Sequence, residues 1–401
     1  MPVYRFRGLN AAGQVVAGLR AAPSRDALAL ALRREQIRLT RAEEKRSPTL
    51  WPLAQRVSDQ ELAVATRQLS VMVDAGLPLL QCLEILSQQQ RGRTFRNVLE
   101  AVRMSVEAGS TLSAALAEHP QVFDPLFVHL VEAGETGGIL DNILRRLALY
   151  IEKKLKLKRQ VKSALVYPVA VIIVATLVIV LLLWKVVPVF ASLFASMNAE
   201  LPLPTRLVIA ASHFVGGMGG LLVGTFVFLL AGALGAWYRT PPGRLALDAL
   251  LLRLPLVGVL LRKIAVARFT RTLGTLLASG VPILEGLTIT AKTSGNAVVE
   301  QAVLRVRQAV EIGRAFADPL RGSSVFPAMV AQMIEVGEQT GALDHMLEKI
   351  ADFYEEEVDA AVRDLLAVLE PAMIVFLGAV VGGIVVSMYL PLFSLIAKLS
   401  G

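Results

Sequence analysis

The sequence predicts an all-α integral membrane protein with two homologous cytoplasmic six-helix bundle domains, three transmembrane helices and a small N-terminal arm made of a hairpin and a helix. Two observations carry this prediction. The apolar run at 169–187 is long enough to cross a bilayer, because about 20 helical residues at about 1.5 Å each span about 30 Å of hydrocarbon. A second apolar run, 372–390, follows at a spacing of 203 residues, and Pro168 and Pro371 precede the two runs at the same spacing. The chain is therefore expected to be a duplication that enters a membrane twice.

Composition agrees with a membrane protein and disfavours several other classes. Of 401 residues, 54% are hydrophobic and only 18% are charged, which is too apolar for an ordinary soluble protein. The net charge of +8 invites a nucleic-acid-binding interpretation. The densest basic run directly precedes the first apolar run, so we interpret it as membrane-flanking charge and expect no nucleic acid. Cys82 is the single cysteine, so no intrachain disulfide is expected.

Residues 1–57 are predicted to form an arm and a linker. Weak alternation over 3–20, with Gly13 suited to a turn, indicates a hairpin. Ser24 suits the N-cap of a helix that ends near Arg34. Charged residues followed by two prolines over 40–57 indicate a linker. The first ten residues lack the apolar core of a signal peptide, so insertion is expected to rely on the internal spans.

The segment 58–166 is predicted to be a bundle of about six short helices, because glycines and prolines recur at helix-length intervals. Its sixth helix is expected to run unbroken into the first span. The segment 239–370 repeats the pattern, since 271–282 matches 67–78 at a spacing of 204 residues. The predicted helix starts in the first copy are Ser58 or Asp59, Pro78, about Thr94, Ser110, Asp124 and about Ile139, and the predicted stops are Gly76, Gly92, Gly109, Pro120 and Gly134.

The middle apolar run, 207–237, has no counterpart in the repeat. As a single helix it would measure about 46 Å, so it is expected to tilt or protrude. Lys and Arg crowd the entrance of the first span and follow the second, and none occurs at 186–205, which places both bundles in the cytoplasm by the positive-inside rule. The predicted segments are an arm and linker at 1–57, a first helical domain at 58–166, spans at 167–188, 206–238 and 371–391, a periplasmic loop at 189–205, a second helical domain at 239–370 and a periplasmic tail at 392–401.

Glycines recur on the spans at four-residue intervals. Small residues on one face of a helix let another helix approach closely, which indicates packing between spans or between subunits. The alternative is that glycine is simply common in membrane helices. These glycines are Gly216, Gly220 and Gly224 on the middle run and Gly378 and Gly382 on the last.

No catalytic constellation is found in the sequence. It contains no Gly-Lys dipeptide for a Walker-type phosphate loop, and its four histidines never fall in a His-Glu-x-x-His frame. We therefore predict no catalytic residue, no cofactor and no metal site. Glu132 and Glu135, three apart at a helix end, leave two alternatives open. They bind a divalent cation with carboxylates from elsewhere, or they cap the following helix or face water.

The two copies enter their spans with opposite charge. The first carries a basic arm and the second an acidic arm, so we hypothesise that one docks on the other, within or between subunits, and sets their register. The alternative is that both arms are solvated and the basic one touches anionic lipid. Reversing 153, 154 and 156 should weaken assembly, and a matching reversal of 355–357 should restore it. The basic arm comprises Lys153, Lys154, Lys156, Lys158 and Arg159, and the acidic arm comprises Glu355, Glu356, Glu357 and Asp359.

Several motifs together resemble a known family. They are the doubled Gly-Glu-x-x-Gly-x-Leu at 134–140 and 337–343, the Tyr-Pro and Glu-Pro entries to the paired spans, and a Tyr-x-Phe hairpin at 4–18. With the three spans, they resemble the inner-membrane platform family of type II secretion system protein F and type IV pilus assembly, over essentially the whole chain. The motif positions that we select as interaction or structural sites are Gly134, Glu135, Gly138, Gly337, Glu338 and Gly341.

The resemblance implies a bacterial inner-membrane protein with a cytoplasmic N-terminus and no enzymatic activity. Such a platform couples a hexameric assembly ATPase to the insertion of pilin or pseudopilin subunits into a fibre. The implied partners are that ATPase, other inner-membrane assembly components, pilin or pseudopilin transmembrane helices, membrane lipid and further copies of the chain itself.

A subunit of a membrane transporter or channel remains an alternative function, since three spans can line a pathway in an oligomer. Ionisable groups at mid-bilayer mark such pathways, whereas Lys185 is predicted near the outer edge of its span and the third span has none. A membrane enzyme would need a cavity lined with acid–base groups, which the sequence does not offer.

Overall fold

The structure is a computed structural model that describes residues 3–9, 15–21, 38–44, 57–196, 201–323 and 325–399. Its contacts divide the chain into residues 1–56 and residues 57–401, and each unit is described on its own.

The N-terminal unit contains a three-stranded antiparallel sheet with the order β2-β1-β3. The strands are β1 (Val3–Leu9), β2 (Val15–Ala21) and β3 (Arg38–Glu44). The predicted hairpin is confirmed, because β1 pairs with β2 from Val3 opposite Ala21 to Leu9 opposite Val15. The prediction of a linker over 40–57 is wrong for residues 40–44. Charged side chains suggested a linker, but they are also what keeps an edge strand from pairing with other chains. The predicted helix at 24–34 and the turn at Gly13 lie outside the described residues.

Lobe 1 consists of five helices and the first turns of a sixth. Ser58 begins the lobe with a reciprocal capping box, since its Oγ accepts from the Glu61 amide at 3.1 Å and its own amide donates to Glu61 Oε2 at 2.9 Å. Thr111, rather than Ser110, caps the short fourth helix, and the fifth continues through Gly134 to Gly137. The helices are α1 (Asp59–Asp74), α2 (Leu79–Gln89), α3 (Arg93–Glu107), α4 (Leu112–Ala117), α5 (Pro125–Gly137) and α6 (Leu140–Leu181). All predicted boundaries agree to within three residues.

The membrane part follows lobe 1. A π-helical turn at Leu182–Val186 joins α6 to α7 (Val187–Ser196), and α8 (Leu203–Gly216) and α9 (Met218–Tyr238) come next. Three described helical segments are long and apolar enough to cross a membrane: Leu140–Ser196, Met218–Tyr238 and Leu343–Phe393, with mean hydropathy of 3.0, 2.0 and 2.4 in their most apolar windows.

Lobe 2 repeats lobe 1 and adds one helix at its start. Its helices are α10 (Pro241–Arg253), α11 (Val257–Ala278), α12 (Ile283–Thr293), α13 (Ala297–Glu311), α14 (Ala317–Arg321), α15 (Ala328–Thr340) and α16 (Leu343–Leu399). The two cores use equivalent positions, since Leu144 and Leu347 are both fully buried. Helices α11 to α16 correspond to α1 to α6, and α10 has no counterpart. The six-helix duplication that the sequence predicts is therefore confirmed.

Helix continues beyond the predicted ends of the first and third spans, past Pro188 to Ser196 and past Pro391 to Leu399. Residues 189–196 and 203–205 of the predicted periplasmic loop are therefore helical. Proline lacks an amide donor and collides with the carbonyl four residues earlier. A π-helical turn lies just before Pro188, whereas Pro168, Pro371 and Pro391 lie within α-helix.

The middle apolar run is broken rather than tilted. Gly217 adopts an extended conformation with φ −104° and ψ −159°, which ends α8 and begins α9. The expectation of one helix over 207–237 is therefore wrong, and Gly216, Gly220 and Gly224 do not share one continuous helical face. A helix of about 46 Å exceeds the hydrocarbon thickness, and a glycine without Cβ is the residue at which it breaks most readily.

Candidate functional site: the interface between the two lobes

An arginine–glutamate pair is present at the same place in both lobes. In lobe 1, Arg67 donates to both carboxylate oxygens of Glu152, Nε at 2.7 Å and Nη2 at 2.6 Å. In lobe 2, Arg271 Nε donates to Glu355 at 2.8 Å. These hydrogen bonds from Arg67 lower the pKa of the Glu152 carboxyl below its usual value. Each pair joins equivalent helices, α1 to α6 in lobe 1 and α11 to α16 in lobe 2. We call α6 and α16, which lead from the lobes into the spans, the stem helices.

A lysine of lobe 1 joins the pair of lobe 2. Lys153 Nζ lies 3.3 Å from Asp352 Oδ1 and 3.1 Å from Glu355 Oε2, and Arg271 Nη2 lies 2.5 Å from the same Asp352 oxygen. Partial burial opposes ionisation at this cluster. The hydrogen bonds outweigh it, so that the pKa of Asp352 is lowered and the pKas of Lys153 and Arg271 are raised. Two cations and two carboxylates therefore form a balanced cluster across the lobe interface, which we call the interlobe clamp.

Apolar packing surrounds the clamp. Tyr150 of α6 is buried and its hydroxyl lies 3.2 Å from Thr272 Oγ1 of α11. Leu276, Val281 and Ile289 of lobe 2 belong to the same core cluster as the interior of lobe 1. A cavity of about 370 Å³ beside the clamp is lined by side chains of both lobes, including Tyr150. The two lobes are thus packed together and not merely tethered.

The structure brings only part of the two arms together. Lys153 contacts Glu355, and Gln160, within the basic stretch, donates to Asp359 at 2.9 Å. The other contacts stay inside one lobe: Lys154 reaches Asp124 at 3.2 Å, Lys158 pairs with Asp59, and Glu357 pairs with Lys263 at 2.7 Å. In the described part of the chain, Lys156, Arg159 and Glu356 are exposed and show no ion pair.

The Gly-Glu motif builds the interior of each lobe. Glu135 accepts from the amides of Leu112 at 2.6 Å and Ser113 at 2.9 Å, and from the Ser113 hydroxyl at 2.6 Å. Glu338 accepts from the amide of Phe316, at the start of α14, at 2.9 and 3.0 Å. Both glutamates thus cap a short helix that precedes them by more than twenty residues. For Glu135 the expectation of a cap on the following helix is therefore wrong, whereas Glu132 is exposed, as the water-facing alternative expects.

The glycines of the motif allow two helices to pack closely and allow the chain to change direction between them. A Cβ on Gly134 would lie 3.0 Å from Ile143 Cβ, and one on Gly337 would lie 3.0 Å from Met346 Cβ, so α5 and α15 can approach the stem helices only at glycine. Gly138 and Gly341 have φ of 66° and 70° and end these helices in the left-handed region.

Span glycines differ in what they face. A Cβ added to Gly216 would lie 3.3 Å from Cδ1 of the Trp184 ring. A Cβ added to Gly224, Gly378 or Gly382 would meet no other atom of the chain within 4 Å. Spans one and three pack through Leu183, Val187, Ile384 and Met388, with α8 beside them. Thr205 of α8 donates to the Ser387 carbonyl at 2.5 Å, and Ser212 donates to the Leu183 carbonyl.

Sequence reasoning missed Arg67, Arg271, Tyr150, Thr272 and Asp352. A signal for two of them was present, because Arg67 and Arg271 lie inside the matched segments and Glu152 and Glu355 recur at a spacing of 203 residues. Asp352 had no signal, since its equivalent in the first copy is Leu149. Among the described residues no group of three or more His, Cys, Asp or Glu is arranged to hold a metal ion.

Comparison with known families decides the identity. The profile described as type II secretion system (T2SS), protein F matches residues 65–188 and 269–391, and the profile for the N-terminal domain of that protein matches residues 1–43. The chain belongs to the type II secretion system protein F family. The two matches of the protein F profile cover both lobes and their spans, which confirms the duplication.

Relatives of this protein F family member come from pilus and secretion systems. It is 52% identical over 346 residues to the type IV pilus assembly protein PilC of Myxococcus xanthus, covering 84% of this chain and 81% of the relative. It is 44% identical over 412 residues to PilC of Thermus thermophilus, covering all of both chains. Identity to the type II secretion system protein F of Vibrio cholerae is 36% over 341 residues, covering 84% and 83%. With its three apolar helices, the chain is an inner-membrane protein.

Proposed function

We propose that this chain is the inner-membrane platform of a type IV pilus or type II secretion machine, and that it couples a cytoplasmic assembly ATPase to the insertion of pilin or pseudopilin subunits into a fibre. The relatives that support the proposal are pilus assembly and secretion proteins by name. Its role is structural: the lobes receive movement and the spans deliver it, with no bond made or broken by the chain itself.

The observation that carries the proposal is the continuity of the stems. Helix α6 runs 42 residues from the core of lobe 1 into the first span, and α16 runs 57 residues from the core of lobe 2 through the third. At about 1.5 Å per residue these helices measure about 63 and 85 Å. The stems also contact each other, through Leu157 and Val161 on one and Val358 and Val362 on the other. Displacement of the packed lobes is therefore transmitted to the spans.

Both lobes face the cytoplasm in this proposal, together with the N-terminus. The basic charge that precedes the first span and follows the second supports this orientation. Single cysteines in place of Met104 on lobe 1 and Ile312 on lobe 2, both exposed, report it. We expect a membrane-impermeant maleimide to label both in inverted membrane vesicles and neither in intact spheroplasts. Labelling of the two lobes from opposite sides would contradict the orientation.

Deletion of the gene in its host tests the function. We expect loss of surface fibres or of secreted protein, recovery on complementation, and recovery of the assembly ATPase with the platform when it is purified from membranes. Unchanged fibres and unchanged secretion in the deletion strain would rule the proposal out. Nucleotide hydrolysis by the purified chain alone would contradict its structural character.

A further inference from the structure

The interlobe interface is built from two different faces. Lobe 1 contributes the α5–α6 face, with His129, Tyr150 and Lys153. Lobe 2 contributes the α11–α12 face and two carboxylates of α16. Thr272 meets Tyr150, Glu285 lies 3.5 Å from His129, and Lys153 meets the carboxylates of α16. We call the first kind of face A and the second kind face B. Because the chain is a duplication, each lobe carries both, so one face A and one face B are left over.

The unused face A lies on lobe 2. Phe353 occupies the position equivalent to Tyr150, 203 residues later. Tyr150 is only 5% exposed because it is covered by lobe 2, whereas Phe353 is 44% exposed. Gln332 and Glu356, equivalent to His129 and Lys153, are exposed too. An aromatic side chain on the outside of a well-packed lobe is a typical anchor of a protein interface.

The unused face B lies on lobe 1. Gln68 is equivalent to Thr272 and Val71 to Thr275, at a spacing of 204 residues. Thr272 is fully buried against lobe 1, but Val71 is 59% exposed, and the neighbouring Val64 and Leu80 are exposed as well. Val64, Gln68 and Val71 follow one another at four and three residues, so they form a single stripe on α1. This stripe is more apolar than the equivalent stripe on α11 of lobe 2, which lobe 1 covers.

Charge at the two unused faces differs from that in the interlobe clamp. In the interlobe clamp, Lys153 of face A meets two carboxylates beside Arg271. At the unused faces, the equivalent of Lys153 is Glu356, the equivalent of Asp352 is Leu149, and the arginine is retained as Arg67. Where Lys153 meets two carboxylates, Glu356 would meet one carboxylate, Glu152, and Arg67, so that one arginine is shared by two acids.

The membrane restricts how the repeat can be extended. Both stems enter the bilayer in the same direction and pack side by side, so the operation that relates the lobes is a rotation about an axis near the membrane normal. The contact is not reciprocal, because Tyr150 is buried while Phe353 is exposed, so the rotation is not twofold. A heterologous contact related by such a rotation gives a ring when the rotation closes and an open array when it does not.

We propose that a second copy of this chain docks head to tail, with face A of lobe 2 on face B of lobe 1 of its neighbour, so that Phe353 of one copy meets Gln68 and Val71 of the next. The contact reproduces between chains the one that already joins the two lobes within a chain. Each repeat of this contact covers the face A and the face B that a single chain leaves unused.

Cross-linking between differently tagged copies tests the orientation. One copy carries Phe353→Cys and the other carries Gln68→Cys, both in a Cys82→Ala background, and the two are expressed together. We expect a short bis-maleimide to give in membranes a species that carries both tags. Tyr150→Cys with Thr272→Cys in a single chain is the positive control, because these residues are in contact. For the negative control, Ile312→Cys replaces Phe353→Cys. Ile312 is exposed but lies on neither face A nor face B.

The outcomes separate the alternatives. A doubly tagged species with Phe353→Cys but not with Ile312→Cys supports the head-to-tail contact. Cross-linking of Phe353→Cys only to itself would show a twofold contact and overturn the proposal. So would the absence of any adduct between copies while the positive control reacts.

Mass in detergent gives a second measurement. Phe353→Asp places a charge in the proposed contact and is expected to reduce the assembly to the 43.2 kDa single chain. Phe353→Tyr, which copies the residue of lobe 1, and Ile312→Asp, off the faces, should keep the mass of the assembly. Phe353 is exposed in the single chain, so loss of folding is not expected to confuse the result. An unchanged mass for Phe353→Asp would overturn the proposal.

Discussion

At the scale of single residues, the motif glutamates act as internal caps. Glu135 takes three hydrogen bonds from the start of α4, and Glu338 takes its hydrogen bonds from a single amide at the start of α14. A six-residue helix is marginal on its own, and the Glu135 carboxylate adds acceptors to the cap that Thr111 already provides. The carboxylate is the acceptor that binds amides most strongly.

Removal of the Glu135 carboxylate should loosen lobe 1 locally. Since hydrogen bonds to charged groups contribute about 1.5–3 kcal/mol, we expect Glu135→Ala to lower the free energy of unfolding by about 2 kcal/mol. Glu338→Ala should have a smaller effect. Hydrogen exchange at the Leu112 and Ser113 amides, together with thermal unfolding in detergent, measures both. Glu132→Ala, an exposed change on the same helix, is the control and should stay within about 0.5 kcal/mol. Equal effects of Glu132→Ala and Glu135→Ala would contradict the capping role.

The Arg67–Glu152 pair makes stability depend on pH in a defined direction. Its folded carboxyl pKa lies below the unfolded value of about 4.3. The contribution is therefore fully present above that value and is lost as the pH falls through the lower, folded pKa. We expect Arg67→Gln to lower the thermal midpoint at pH 7, and we expect its difference from wild type to shrink steadily as the pH falls below about 4.3. A difference that persists unchanged at low pH would show that the pair acts through packing alone.

At the scale of elements, close contact between α5 and α6 depends on glycine. A Cβ on Gly134 would lie 3.2 Å from the Leu140 Cα as well as against Ile143, so backbone has to move. We expect Gly134→Ala to destabilise lobe 1 by about 1–3 kcal/mol, and Gly337→Ala to do the same to lobe 2. Gly137→Ala, at the end of the same helix, meets nothing closer than 3.4 Å and should be neutral or slightly stabilising. Thermal unfolding measures all three, and a neutral Gly134→Ala would contradict the packing argument.

The ends of the lobe helices could be predicted from the sequence because capping residues lie within a few positions of each end. Ser58 with Glu61, Asp124 with Pro125, and Gly138 each end or begin a helix through groups only a few residues away. The break at Gly217 and the π-helical turn before Pro188 did not follow, because both depend on how the spans pack. β3 was missed because charged strands pair through their backbone, which leaves no hydrophobic pattern.

The lobe interface was only partly predictable for a related reason. Opposite charge on the two stems indicated a docking surface, and Lys153 does contact Glu355. Which of the remaining charges cross between lobes depends on the rotation of each stem and on neighbours such as Asp124 and Asp59, distant in sequence. Hydrogen bonds from Lys154 and Lys158 to these two residues turn both lysines inward to lobe 1. Periodicity along one helix does not determine such choices.

At the scale of the whole molecule, the interlobe clamp is expected to hold the lobes as one body. Lys153→Asp leaves three carboxylates around Arg271, and Asp352→Lys leaves three cations around one carboxylate. Either change should lower the thermal midpoint and reduce fibre assembly or secretion. The double variant restores the balance of two and two and should recover both. Lys154→Asp, whose partner Asp124 lies in lobe 1, is the matched control. Failure of the double variant to recover would contradict the clamp.

In the proposed mechanism, movement passes from the lobes to the spans through continuous helices, so a break in one stem should stop it. Ser163 is exposed on α6 between lobe 1 and Pro168. Ser163→Pro removes a helical hydrogen bond and kinks the stem at a cost of about 3 kcal/mol, far from either core. Ser163→Ala keeps the helix and is the control.

The readout is fibre assembly or secretion in a complemented deletion strain, with hydrogen exchange in lobe 1 to show that it remains folded. We predict that Ser163→Pro abolishes assembly while the lobe stays protected, and that Ser163→Ala assembles as the wild type does. Normal assembly by Ser163→Pro would show that a continuous stem is not needed and would contradict the account.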